Sequence, residues 1–176
     1  VLDNYVITSN ISNISSFGFD YNDQGVNRNV NTVADLTGLE DFVNLTSLNL
    51  RGTFTTFVLP ATLDKLNYLS LSYTKNLSSL TLNSQTLENL SVSHGPPLTT
   101  IETSNLPNLK FFSNSHTDFP SGITSLDFSN NPEMIDISSH HSNLTSINIA
   151  NCNKLNALYL WESSGLTGTI DISHIK

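Results

Sequence analysis

The chain has 176 residues, enough to bury a core as one domain or as a fragment of a larger one. Its formal net charge is -8, and only 12% of its residues are charged, about half the usual share. Seven Lys and Arg scattered over the whole length cannot form a phosphate-binding footprint, which excludes nucleic acid as a partner.

Ser, Thr and Asn supply 67 residues, so the surface is expected to be neutral and polar, as in many secreted and cell-surface bacterial proteins. The chain opens at Val1 without an initiator Met, a signal peptide or an apolar run long enough to span a membrane, which reads as a processed or excised segment. Cys152 is the single cysteine, so no internal disulfide and no cysteine-based zinc site can form.

In chain order, residues 1–35 read as an N-terminal cap. Tyr5, Val6, Ile7, Ile11, Ile14, Phe17, Phe19 and Tyr21 carry the apolar surface needed to cover an open strand edge. Within this segment "DYNDQG" offers Asp20, Asn22 and Asp23 ahead of Gly25, in the manner of a Ca2+ loop. The pattern lacks the closing bidentate Glu, since Asn31 occupies that position, so a solvated turn is the expected reading and Ca2+ the weaker alternative.

Residues 36–176 read as a solenoid of six to seven turns, irregular at 104–122. Phe42 and Val43 are expected in a short helical or irregular turn that leads into the first regular strand. The phrase L-x-x-L-x-L recurs at 45–50, 66–71, 87–92, 123–128 and 144–149, with steps of 21 residues before and after an interruption. "LPNLKF" (106–111) fills the gap with altered spacing. A second series half a period away comprises 54–59, 77–82, 98–103 and 155–160, with Phe119 expected to stand in for a missing member.

The closing L-x-L of each phrase alternates as a half-buried strand does, and the polar turns between phrases leave no room for an ordinary helix. One such unit cannot bury its own apolar side, so neighbours must stack. The expected fold is therefore mainly β: a solenoid with short strands on both sides and little helix.

If each series stays on one face, the 45/66/87/123/144 series presents Asn49, Arg51, Tyr68 and a run of Ser outward. The other series presents Tyr159 and Trp161. Exposed Tyr and Trp are enriched at binding hot spots and also stack on sugar rings. These five residues, Tyr159, Trp161, Tyr68, Asn49 and Arg51, are the candidate ligand-binding positions, against the alternative that Tyr159 and Trp161 are covered by neighbouring structure.

His94 and His116 each follow a strand of adjacent repeats, while His140 and His141 are expected to point apart. None has the carboxylate or cysteine company of a zinc site, so no metal is expected. No G-x-S-x-G elbow is present, and Asp127, Asp136 and Asp171 fall at outward positions where solvated carboxylates are normal. No enzymatic activity and no cofactor are expected. The six N-x-[ST] sequons match what the Asn, Ser and Thr content produces by chance.

The double phrase resembles the short bacterial class of leucine-rich repeats, over roughly residues 36–172. "VADLTGLEDFVNLTSLNL", with the segment before it, is similar to the start of secreted leucine-rich repeat proteins of gram-negative bacteria. The resemblance implies export to the extracellular side of the outer membrane, with further repeats or another domain in the same chain. The expected function is a non-catalytic extracellular binding or adhesion module for a protein or polysaccharide partner. The alternative is a structural spacer or subunit of a surface complex, filament or virion appendage.

Overall fold

The computed structural model describes residues 11–18, 34–93, 97–115 and 122–175. Asp20, Asn22, Asp23, His94, His116 and Phe119 lie outside the described residues, as does most of segment 1–35.

The strands are short: β1 (Ser16–Gly18), β2 (Ser47–Leu50), β3 (Thr56–Val58), β4 (Tyr68–Ser72), β5 (Ser79–Thr81), β6 (Asn89–Ser93), β7 (Phe111–Ser115), β8 (Ser125–Asp127), β9 (Asp136–His140), β10 (Ser146–Asn148) and β11 (Ala157–Tyr159). One 3-10 turn, Leu39–Asp41, sits just ahead of the expected irregular turn at Phe42. Seven strands form one parallel sheet in the order β1-β2-β4-β6-β7-β9-β11, and β3-β5 and β8-β10 form two parallel pairs. The fold is a mainly-β solenoid of short stacked strands with almost no helix among the described residues. Its main sheet takes five steps from β2 to β11.

The phrase explains the geometry. In "LTSLNL" Leu45 closes a corner, its N–H donating to Phe42 O at 2.9 Å, and Leu48 and Leu50 point inward with almost no exposure. The equivalent corner bonds, Leu66 to Leu63, Leu109 to Leu106, Met134 to Asn131 and Leu155 to Cys152, repeat on other turns. Each inward Leu is worth about 1.5–3 kcal/mol of apolar burial, and parallel in-register pairing stacks these side chains into one continuous core.

Asn and Thr side chains tie successive turns together. Asn76 Nδ2 donates to Thr53 O at 3.2 Å, Asn108 Nδ2 to Gln85 O at 2.7 Å and Thr145 Oγ1 to Thr124 O at 2.9 Å. Lys110–Glu88 and Lys154–Glu133 pair across the same one-turn step.

The structure corrects one part of the sequence reading. The five phrases at 45, 66, 87, 123 and 144 do not share a face. The first three carry β2, β4 and β6 in the main sheet, while those at 123 and 144 carry β8 and β10 on the opposite side. The strand at 155–160 joins the main sheet instead. In-register partners are 21 residues apart from β2 to β6, then Asn89 pairs with Phe111 and Phe111 with Asp136. The chain thus gains one residue at the first irregular step and four at the next. Because Thr100 also pairs with Ser125, most of the extra residues lie between Phe111 and Ser125.

Cys152 occupies one of the corner positions, fully buried, with its thiol 3.4 Å from Phe128 O. Burial, reinforced by the Asp127 charge, pushes the thiol up to about 11. Alkylation of the folded protein at pH 8 is therefore expected to run about a hundredfold or more slower than in the urea-unfolded chain, because so little thiolate is present. Reaction at the unfolded rate would show that the corner is open.

Candidate functional site

The outward positions of the main sheet follow from strand alternation. Ser47, Tyr68, Asn89, Phe111, Asp136 and Ala157 pair in one row. Asn49, Ser70, Ser91, Ser113, Ser138 and Tyr159 pair in the next. Tyr68 and Tyr159, expected on different faces, share this one.

At the C-terminal end of the face three rings meet. Trp161 is 66% exposed, yet its ring is contacted on two sides: His140 at 4.7 Å between centroids and Tyr159, edge-on, at 5.8 Å. Ser138 Oγ lies 2.7 Å from His140 Nε2 and fixes that imidazole from beneath. His140 Nδ1 is sealed from solvent and has no hydrogen-bond partner among the described residues.

The backbone holds the cluster as well. The chain leaves β9 and β11 through His141 and Glu162, both in the left-handed region at φ 49° and 56°, and His141 N–H donates to Trp161 O at 3.1 Å. Such a conformation is unfavourable for a side chain bearing a Cβ, and surrounding bonds must hold it. His141 Nδ1 is 2.6 Å from Glu162 Oε2, so this histidine does have carboxylate company, contrary to the sequence reading. Their one-turn spacing brings the two together.

The five candidate positions do not form one site. Tyr159 and Trp161 touch, whereas Asn49 and Arg51 lie at the β2 end, five strand intervals or roughly 24 Å away. Asn49 is half-buried, its Oδ1 sealed, and a Cβ at Gly18 of the adjoining β1 would fall 2.7 Å from its own Cβ, so β1 packs tightly over it. The Arg51 guanidinium rests 4.2 Å above the Tyr73 ring. Tyr68 is 38% exposed on β4.

Phe111, 40% exposed, was not among the candidates. The altered spacing of "LPNLKFF" hides it: the extra residue turns Phe111 outward and Phe112 into the core. Adjacent Phe residues on an alternating strand are the signal, since one of the two must face solvent. His140 and Glu162 were missed as partners because both depend on one-turn stacking.

Among the described residues no group of three or more His, Cys, Asp or Glu comes together in a way that could hold a metal ion. Asp127 and Asp171 serve local turns: hydrogen bonds from the side chains and backbones of Ser129 and Ser173 hold their carboxyls below the usual range. No helix among the described residues is long and apolar enough to cross a membrane.

No protein-family model and no curated protein matches the chain. Among solved structures it is similar to internalin C2 of Listeria monocytogenes, at 17% identity over 88% of this chain and 84% of that one, with a TM-score of 0.34. A second internalin of that bacterium (inlF) matches at 16% identity over 70% of this chain and 63% of that one, with a TM-score of 0.20. At these values nothing about partners passes from those proteins to this chain.

Proposed function

We propose that this chain is a non-catalytic binding module that recognises a protein or glycan partner at the cell exterior, centred on Tyr159 and Trp161 with His140 behind them. The observation that carries the reading is a 66%-exposed Trp held in place by two neighbouring rings. An exposed Trp that is already oriented loses little rotamer freedom on binding, so more of its contact energy appears as affinity. The uncharged polar composition supports an exterior setting.

A binding screen against surface proteins and polysaccharides tests the reading. Trp161→Ala is expected to weaken a confirmed ligand by at least about tenfold, with Tyr159→Ala in the same direction. Wild-type affinity in both variants would remove the proposed site.

A spacer or assembly role is the second reading. It is favoured by the coil after β11, where Leu166, Ile170 and Ile175 are only half-buried and Ile172 is 60% exposed. Size measurement at rising concentration separates the two, since a pure receptor module stays monomeric.

A further inference from the structure

We infer that the outward face of the main sheet is a track for a linear, neutral, β-1,4-linked polysaccharide, lying along the solenoid axis over Tyr68, Phe111 and Tyr159 and reaching Trp161. The inference rests on the binding-module reading and names its ligand class.

The observation behind it is a periodicity. The exposed aromatic residues of this face stand on β4, β7 and β11, which are every second strand in the order β4-β6-β7-β9-β11. Tyr68 and Phe111 share one row through Asn89, so two strand intervals separate them, roughly 10 Å. Tyr159 stands two intervals further on and one outward position along the strand, about 7 Å to the side. Trp161 continues in that direction, in contact with Tyr159.

An extended β-1,4-linked chain is a flat ribbon in which each ring is turned over relative to the last. It therefore presents the same ring face once every two rings. One ring advances the ribbon by about one strand interval, so an aromatic residue on every second strand meets the same face each time. The C–H groups of that face are weakly positive and pack against the negative face of an aromatic ring.

The rest of the surface agrees. Ser91, Ser113 and Ser138 form the row that leads to Tyr159, beside Asn89 and Asp136 on the intervening strands, and these serines are small enough to let a ribbon lie flat and able to hydrogen-bond its hydroxyls. From β4 to β11 no outward position of the sheet carries Lys or Arg, and Asp136 contributes a negative charge. An acidic polymer is therefore repelled, and a single carboxylate, Asp136, gives too little charge to select a cationic one, so the face suits a neutral polymer.

Calorimetric titration with neutral β-1,4-linked gluco-, manno- and xylo-oligosaccharides of two, four and six rings tests the track, with α-1,4-linked glucose chains of equal length as controls. For at least one β-linked series, affinity is expected to rise at least about tenfold from two rings to four and to rise again at six, because four strand intervals span β4 to β11 and a chain must be longer than four rings to reach all three aromatic strands. Phe111→Ala and Tyr68→Ala are expected to cut six-ring binding by about tenfold each and leave two-ring binding unchanged. Trp161→Ala is expected to weaken every length.

Affinity independent of length, equal binding of the α-linked chains, or wild-type six-ring binding in both Phe111→Ala and Tyr68→Ala overturns the inference. So does failure of all three β-linked series. If they fail while a protein ligand binds and depends on Trp161, the track is lost and the binding module stands. Loss of the module reading requires instead that a confirmed ligand ignore both Trp161→Ala and Tyr159→Ala.

Discussion

Phe112→Ala is expected to destabilise the fold by about 3–5 kcal/mol, whereas Phe111→Ala, one residue away, leaves stability within about 0.5 kcal/mol. Phe112 is almost fully buried on β7. Its ring meets Phe128, beside β8 on the opposite side of the solenoid, at 5.1 Å and 61°. The pair bridges the core at the turn where the repeat length changes. Truncation removes a large buried side chain, opens a cavity that neighbouring turns cannot collapse into without losing register, and forfeits an edge-on contact worth about 0.5–1.5 kcal/mol. The measurement is the urea midpoint and slope of each variant against wild type. Equal effects, or the reverse order, would mean that the extra residue is absorbed elsewhere and that β7 faces the other way.

The reason this step needs an experiment is also the reason the sequence was only partly legible. Inward positions were readable because Leu, Ile and Phe recur with period two inside each phrase. The side of the solenoid to which a phrase belongs was not, because both faces impose the same demand. Leu45, Leu48 and Leu50 satisfy it in the main sheet, and Leu144, Ile147 and Ile149 satisfy it on the opposite side. Likeness of wording therefore says nothing about face. Counting turns does, but the count passes through a one-residue and a four-residue insertion. One such error moved Tyr159 off the sheet that holds Tyr68 and left Phe111 unnoticed. Trp161 was legible as an outward residue. Its contact with His140, one turn back, was not, because it depends on which residues stack.

Asn131→Ala is expected to cost about 2–4 kcal/mol, the second large effect, and its origin is polar. Asn131 is fully buried at a corner position equivalent to Leu106 and Cys152 on the neighbouring turns. Its Nδ2 donates to Thr103 O at 3.0 Å and to Leu106 O at 2.7 Å, and Thr103 Oγ1 lies 2.8 Å from its Oδ1. Both carbonyls keep one backbone donor, from Leu106 and Leu109, so truncation weakens rather than orphans them. The loss is two to three buried hydrogen bonds plus a cavity. Asn108→Ala removes a single cross-turn bond at an exposed position and is expected to cost less than about 1 kcal/mol. Asn131→Asp sharpens the test, since an ionised carboxylate has no donor to offer those two carbonyls. Burial would raise its pKa above the unfolded value near 3.9, so the folded state would bind more protons and stability would fall as pH rises through that range. The Asp variant should therefore be relatively more stable at pH 4 than at pH 7 when compared with wild type. A variant equally stable at both, or an alanine cost no larger than that at Asn108, would show that the corner amide is not what bonds these two turns together.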